Sequence, residues 1–300
     1  MTTSSSLRRL PDADLAPLLA SYEGAVSARR RQTLLGLVVL ALATLVAALV
    51  SEVQPGRFFA NIDRFTSYIG RLFVFDSGSL AGHSVLSDVG EWYWGLTKWL
   101  ALLGETLLIA YVGTVVGLAC GFFASFLAAR NLGSAPWLRF ATKRWLEFCR
   151  TVPEIVFALV FVIAFGLGPL PGVFAIALHT TGALGKLFSE VVENIDMRPV
   201  EGAAASGGSW AQTVRFAVVP QVLSNFASYA LLRFEINVRG AAVMGFVGAG
   251  GIGQDLIEAI RKFYYADVSA ILLLIIATVV VIDMTTERLR HALLGMEGKR

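Results

Sequence analysis

The stretch Asp196–Pro220, DMRPVEGAAASGGSWAQTVRFAVVP, is polar and rich in small residues, and it separates two long apolar segments. Pro199 suits the first turn of a helix, because its missing N–H costs nothing there. Glu201 falls in the same turn, where a carboxylate faces the positive end of the helix dipole. Three alanines favour the helix, and Gly207 and Gly208 end it. The stretch therefore predicts a short, smooth helix at the membrane surface that can fit a groove of another protein.

The composition of the whole chain is typical of a polytopic membrane protein. Of its 300 residues 56% are hydrophobic and only 16% are charged, whereas soluble domains carry about 25% charged residues. The net charge of +3 favours basic cytoplasmic loops, and no basic run is interleaved with aromatic residues, so nucleic acid is not an expected partner. Cys120 and Cys149 are the only cysteines, and without a CxxC pair they indicate neither a disulfide framework nor a zinc site.

Charge and hydropathy together predict an all-α protein with six transmembrane helices and both termini in the cytoplasm. Basic residues dominate 1–33, 130–150 and 285–300, which places these segments inside. The predicted organisation is a cytoplasmic segment 1–33, a first transmembrane helix 34–50, an extracytoplasmic segment 51–96, a transmembrane domain 97–290 with a cytoplasmic loop 196–213, and a cytoplasmic tail 291–300.

Five further spans are expected within the transmembrane domain 97–290. They are Thr106–Ala129, a short span Glu154–Leu167 that follows a basic amphipathic helix on the inner surface, Val173–Val192, Val214–Val238 and Val268–Ile282. The turn Gly168–Gly172 should lie outside. Three glycines at intervals of four in the second span predict close helix packing, namely Gly113, Gly117 and Gly121.

The loop and two further motifs resemble a known family. Four loop residues stand in the order and spacing of the cytoplasmic signature of ABC-importer permeases: Glu201, Ala203, Gly207 and Pro220. Gly202 departs from that pattern, where alanine is usual, but it keeps the position small. The segments Arg150–Glu154 (RTVPE) and Arg239–Gly253 (RGAAVMGFVGAGGIG) resemble phosphonate-type permeases in particular. The resemblance covers roughly residues 97–290.

The resemblance implies a type I importer permease in the plasma membrane. Its coupling residues would be Glu201, Gly202, Ala203, Ala204, Gly207 and Gly208. The implied partners are a cytoplasmic ATPase dimer, an extracytoplasmic solute-binding protein and a second permease, either a copy or a paralogue. The implied cargo is a phosphonate, with phosphate and phosphite as alternatives because all three are tetrahedral oxyanions.

Gly248, Gly250 and Gly253 spell G-x-G-x-x-G. A dinucleotide site would need a preceding strand within a βαβ unit, whereas membrane spans flank this motif. Two interpretations remain open. The segment is either a tight turn between helices or a re-entrant loop whose backbone lines a passage, which would make Gly248, Gly250, Gly251 and Gly253 candidate pathway residues.

Charged and ionisable residues within spans are functional candidates, since a charge in hydrocarbon costs at least ~2.5 kcal/mol. The candidate pathway residues are Arg239, Arg233 and His179, and a guanidinium such as that of Arg239 could meet a phosphonate with two N–H bonds. The alternatives are snorkelling at a span end, or a satisfied pair of Arg239 with Glu235 at i,i+4. Glu105 and Glu154 are expected at helix starts.

No enzyme motif is present. The chain lacks a Walker A sequence, an HExxH pair and a GxSxG elbow, so no cofactor or metal is expected and ATP hydrolysis would belong to a partner. A membrane-embedded enzyme is disfavoured for the same reason. A non-transporting membrane scaffold remains an alternative.

Overall fold

A computed structural model describes residues 12–51, 54–76, 80–133 and 135–297. Within these ranges the chain is built of helices and turns, and the one β contact is an isolated bridge between Val74 and Ser84. Residues 1–67 and 68–300 form two compact units, and each is described by itself. Parts of the predicted basic ends 1–33 and 285–300 lie outside the described residues.

The first unit contains α1 (Asp12–Val50) and α2 (Pro55–Ala60). α1 includes the predicted span 34–50 but begins much earlier, because the residues before it are mostly good helix formers. Its section Ala20–Val50 is long and apolar enough to cross a membrane. The apolar side chains of this section are exposed, as expected of a helix in contact with lipid.

The remaining helices follow in chain order. They are α3 (Ile62–Arg71), which straddles the boundary of the two units, α4 (Val89–Trp92), α5 (Leu96–Ala128), α6 (Pro136–Thr151), α7 (Glu154–Phe165), α8 (Pro169–Glu193), α9 (Arg198–Ala205), α10 (Trp210–Thr213), α11 (Val219–Met244), α12 (Gly253–Arg261) and α13 (Tyr265–Glu297). A π-helical turn, Val214–Val218, precedes α11 and a 3₁₀ turn, Gly245–Val247, follows it.

α5 and α13 are apolar enough to cross a membrane by composition alone. α8 and α11 have 25 and 26 residues, which is about 38 Å of helix and enough for a hydrocarbon core of about 30 Å. Their polar residues lower their hydropathy, and several of these residues face other helices of the bundle. α5, α8, α11 and α13 therefore correspond to the predicted second, fourth, fifth and sixth spans.

The predicted third span needs correction. α7 has 12 residues, which is about 18 Å and too short to cross a membrane alone. α6 and α7 are bent by 89° at the break between them, where Pro153 removes an N–H and restricts the residue before it. α6 lies along one half of α8, so close that a Cβ on Gly182 would come within 2.6 Å of the Arg150 backbone nitrogen. The predicted surface helix and the predicted short span are thus two halves of one broken span.

The predicted glycine ladder is confirmed. α5 and α8 run side by side in the same direction, and each glycine of α5 meets a successive turn of α8. A Cβ would lie 2.6 Å from Ile176 at Gly113, 2.6 Å from Thr180 at Gly117, and 3.0 Å from the backbone nitrogen of Gly185 at Gly121. Only a residue without a side chain permits this approach, so the ladder fixes the register of the two helices.

Among the described residues of the second unit, the buried side chains form three clusters along the bundle. One lies at the end that carries residues 196–213, here called the loop end, and includes Phe126, Phe188, Val200, Val218 and Phe226. A central cluster includes Ile109, Phe157, Ile176, Val238 and Met244. The third lies at the opposite end and includes Phe75, Trp92, Trp99, Leu256 and Ile271.

The predicted turn Gly168–Gly172 also needs correction. Pro169 begins α8, because proline fits the first turn of a helix. The turn lies one step earlier, at Gly166 and Gly168, whose φ angles are +89° and +138°. The Gly168 N–H donates to the Gly248 carbonyl at 3.0 Å, which joins this turn to the glycine-rich segment.

Candidate functional site

The predicted short helix is present as α9, with Pro199 in its first turn and Glu201 near the positive end of its dipole. Its end is closed by two hydrogen bonds: Gly208 N–H donates to Ala203 O at 3.1 Å, and Gly207 N–H donates to Ala204 O at 3.0 Å. Gly207 has a φ of +82°, which is the left-handed conformation that this type of helix end requires. The prediction that glycine ends this helix is confirmed.

Hydrogen bonds hold both ends of the loop. The Gln221 side chain accepts from Asp196 N–H and donates to Asp196 O, each at 3.2 Å. Ser209 and Gln212 form a reciprocal capping box at the start of α10. The Trp210 indole N–H donates to Leu132 O at 3.0 Å, which ties the loop to the segment between α5 and α6.

Apolar side chains pack against the buried face of the loop. Val200 is the buried residue of α9 and belongs to the loop-end cluster. In that cluster the rings of Phe188 on α8 and Phe226 on α11 stack with centroids 3.8 Å apart. The π-helical turn ends two residues before Pro220, whose ring would clash with a carbonyl of the preceding turn in a regular α-helix. We call α9, α10 and this packing beneath them the loop base.

The predicted coupling residues form the outer surface of the loop base. Glu201, Gly202, Ala204 and Gly207 are exposed, whereas Ala203 and Gly208 are half-buried. A Cβ added at Gly202 would meet no atom within 4 Å. The surface is therefore smooth, small-featured and joined to the bundle through the buried face of α9.

A second polar group lies in the middle of the bundle, and its key residue, Asn237 on α11, is fully buried. The Asn237 amide donates to the hydroxyl of Thr114 on α5 at 2.8 Å and to that of Thr180 on α8 at 2.9 Å. Arg233, one turn earlier, lies with its Nε 3.4 Å from the Thr180 hydroxyl and its Nη2 3.7 Å from Oε2 of Glu154. We call Thr114, Glu154, Thr180, Arg233 and Asn237 the polar centre.

The hydrogen bonding of the polar centre is incomplete. Oε2 of Glu154 and Oδ1 of Asn237 are buried without a hydrogen-bond partner, and so is Nδ1 of His179, the neighbour of Thr180. The Arg233 side chain is 13% exposed and that of Glu154 23% exposed. The structure therefore favours a buried contact of Arg233 with Glu154 over snorkelling at a span end.

Arg239 lies apart from the polar centre. Its guanidinium pairs with Glu235 on the same helix and with both carboxylate oxygens of Asp283 on α13, at 3.1 Å. The structure thus shows the alternative of a satisfied pair, extended by a carboxylate that the sequence analysis did not consider. Because two carboxylates already occupy this guanidinium, the structure favours other residues over Arg239 for contact with an anion.

The glycine-rich segment forms a tight turn against α5. Gly250, Gly251 and Gly253 are buried, and Gly248, Gly250 and Gly251 have φ angles of +82°, +86° and +81°. Glu105 accepts from Gly251 N–H at 3.3 Å and Thr106 accepts from Ile252 N–H at 2.9 Å. These amides face α5, which favours the tight turn over the passage lining.

Glu105 also lies well inside α5, so its predicted place at a helix start is wrong, whereas Glu154 does begin α7.

The loop base and the polar centre, set in a bundle of membrane helices, define a membrane transport subunit. Residues 117–293 match the family model described as "Binding-protein-dependent transport system inner membrane component", and the chain belongs to this family. It is the permease subunit of an ABC importer, and an ATPase is a separate subunit of such systems.

The chain is similar to several named transport proteins. It is 40% identical over 212 residues to the phosphite transport system permease protein PtxC of Stutzerimonas stutzeri, covering 71% of this chain and 76% of that one. It is 50% identical over 116 residues to a putative cryptic phosphonate transport system permease protein, PhnE2, of Escherichia coli, covering 39% of this chain and 95% of that one. A chain of the MetNI methionine ABC transporter, in an inward-facing conformation, shares the fold with a TM-score of 0.58 and 21% identity, over 65% of this chain and 95% of that one.

Proposed function

We propose that this permease imports a phosphonate-type oxyanion by alternating access. The proposed coupling of an ATPase to the transmembrane helices rests on the loop base. Its exposed face has only small side chains, and its buried face packs on α5, α8 and α11. A cytoplasmic ATPase dimer would dock on Glu201, Gly202, Ala203, Ala204, Gly207 and Gly208. The loop is held at both ends by hydrogen bonds. Closure of that dimer would therefore displace the loop and the helices of the bundle together.

The cargo assignment rests on two lines of support. The relatives are named for phosphite and phosphonate transport, and a buried arginine lies in the polar centre, where a tetrahedral oxyanion could bind. Arg233 and His179 are our pathway candidates. The less favoured pathway candidates are Arg239, Gly248, Gly250, Gly251 and Gly253. Phosphite or phosphate transport by the same subunit is the second candidate.

The proposed topology has both termini and the loop end in the cytoplasm, with residues 51–96 outside and 97–290 as the transport domain. A solute-binding protein would deliver cargo at the outer side, and a second permease, identical or paralogous, would complete the pathway. The test is labelling of a Glu201→Cys variant in a Cys120→Ser background with a membrane-impermeant maleimide. Labelling is expected in inverted vesicles, and labelling of intact cells would contradict the topology.

Transport itself is tested with the purified complex of permease and ATPase in proteoliposomes. We expect the loaded binding protein to stimulate ATP hydrolysis and labelled methylphosphonate to accumulate inside. Uptake of phosphite or phosphate without methylphosphonate would move the assignment to the second candidate. A permease that neither retains an ATPase nor supports stimulated hydrolysis would be a scaffold, and the proposal would be wrong.

A further inference from the structure

The polar centre combines buried charge with open hydrogen-bonding capacity. A buried ion pair that only fastens helices is stable when close hydrogen bonds offset the cost of desolvation, and charge-assisted N–H···O contacts are about 2.7–2.9 Å long. Arg233 and Glu154 are 3.7 Å apart, and the nearer carboxylate oxygen has no hydrogen-bond partner. The contact between Arg233 and Glu154 is therefore longer than expected of an ion pair that only holds helices together.

Thr180 adds a hydroxyl proton that has no acceptor. Its hydroxyl oxygen accepts from Asn237 at 2.9 Å and lies 3.4 Å from Arg233 Nε. Among the hydrogen bonds of the described residues, none uses the hydroxyl proton of Thr180. A donor that is fixed in place by two partners but has no acceptor can bind an oxygen of a ligand.

We propose that Arg233, Thr180 and Glu154 form an intramembrane binding site for a protonated tetrahedral oxyanion, such as a hydrogen phosphonate or hydrogen phosphate. Arg233 and Thr180 donate to the anionic oxygens. Oε2 of Glu154 accepts from the P–OH group. The proposal rests on the proposed function, since it specifies the chemical form of the cargo that the polar centre takes.

The side chains of Glu154 and Arg233 are 23% and 13% exposed, so the pair reaches the surface of the bundle. The missing side chain at Gly240 makes room for the Glu154 carboxylate itself, because a Cβ there would collide with Oε1 of Glu154. Arg150, Thr151 and Pro153, which lead into α7, are exposed, so the pair can be approached from that surface. The break between α6 and α7 directly precedes Glu154. A change of this bend would alter the distance between Glu154 and Arg233.

The proton on the ligand makes the site selective. Sulfate resembles phosphate in shape but carries no proton at neutral pH, so its oxygens would face the Glu154 carboxylate without a hydrogen bond. A site built to bond a ligand hydroxyl rejects an analogue that lacks it, because its own polar group is left unpaired. The polar centre should therefore bind phosphonate and phosphate and exclude sulfate.

Equilibrium dialysis of the purified permease–ATPase complex, without binding protein, tests the site with methylphosphonate, inorganic phosphate and sulfate. We expect sulfate to bind at least about tenfold more weakly than the phosphorus oxyanions, as for other sites that require a ligand hydroxyl. Glu154→Gln should reduce this discrimination, since an amide can donate to sulfate. Arg233→Gln should abolish binding, and Arg233→Lys should restore part of it because a point charge lacks the planar fork.

Glu235→Gln is the matched control, because it removes a carboxylate of the same helix bundle that pairs with Arg239 instead. Its discrimination should equal that of the wild type. If Arg233→Gln does not fold, the near-isosteric Glu154→Gln and Arg233→Lys variants still decide the question. The proposal is wrong if Glu154→Gln keeps full discrimination, or if the neutral double variant Arg233→Gln/Glu154→Gln binds the anions normally.

The wild-type uptake assay separates this proposal from the proposed function. Binding-protein-dependent uptake of methylphosphonate, together with unselective or absent binding to the complex, would overturn the site and leave the function intact. Absence of uptake of all three phosphorus oxyanions would overturn the function, and the proposed site with it.

Discussion

The loop base and the polar centre differ in how completely their polar groups are satisfied. In the loop base, hydrogen bonds satisfy the polar groups and hold the surface in place. They lie at the end of α9, in the capping box of α10, and at the side chains of Gln221 and Trp210. In the polar centre, a loose ion pair and two unpartnered oxygens remain. We propose a division of labour, in which one region transmits motion and the other retains binding capacity that a ligand can use.

The largest effect is expected from Gly182→Leu, at the contact of α8 with α6, the helix that leads to Glu154 of the polar centre. A Cβ at this position would lie 2.6–2.7 Å from backbone and side-chain atoms of Leu146, Cys149 and Arg150. Backbone cannot move aside as a flexible side chain can, so the cost should exceed the about 1–3 kcal/mol typical of overpacking. Gel filtration in detergent should show no folded permease. Gly202→Leu, where the added atoms meet open space, should elute normally, and equal elution of both variants would contradict this packing.

Gly207→Val should have the next largest effect, and it acts on the loop base. Side chains at positive φ cost about 1–2 kcal/mol, so the end of α9 should open while the rest of the permease stays folded. We expect the loaded binding protein no longer to stimulate ATP hydrolysis. Gly207→Asn should keep part of the stimulation, because asparagine tolerates this conformation better than valine. Equal stimulation by both variants would show that the conformation at 207 is not needed.

Thr180→Val should have a smaller effect on stability and a clear one on transport. It removes a hydroxyl that accepts from Asn237 and faces Arg233, and hydrogen bonds between membrane helices are worth on average about 0.6 kcal/mol each. Oxyanion uptake should fall while stimulated ATP hydrolysis is retained. Thr181→Val is the matched control, since that hydroxyl bonds chiefly within its own helix, to Ala177 O at 2.8 Å. If both variants transport alike, Thr180 has no special role.

The smallest effect is expected from Gly202→Ala. The added methyl group meets open space, and alanine favours a helix over glycine by up to about 1 kcal/mol. The thermal midpoint of the permease should stay the same or rise slightly, and uptake should be unchanged. A marked loss of coupling would mean that the partner fits so closely at this position that even a methyl group is excluded.

Local sequence predicted the loop base well. Pro199, Glu201 and Gly207 act through the backbone of their own helix, so their roles can be inferred from neighbours in the chain. The glycine ladder of α5 was predictable for a similar reason, because a repeat of four places small residues on one helical face.

The polar centre could not be predicted, because its contacts join helices that are far apart in sequence. Thr114 and Asn237 were indistinguishable from ordinary polar residues of their segments, and the partner of Arg233 lies on α7. One signal was present: Arg233 and Asn237 are four residues apart and so share a helix face. The break at Pro153 was visible as well, but only the packing of α6 on α8 shows that it lies within a span.

The central claim, that the exposed face of α9 docks the ATPase, is tested most directly by Ala204→Trp. Ala204 is exposed, whereas Ala203 is half-buried and a large residue there would disturb the loop base itself. The measurement is detergent pull-down of the ATPase with binding-protein-stimulated hydrolysis, beside Ala60→Trp in α2 as the matched control. We predict that Ala204→Trp folds normally but loses the ATPase and the stimulation, while Ala60→Trp keeps both. Full complex and full stimulation with Ala204→Trp would contradict the account.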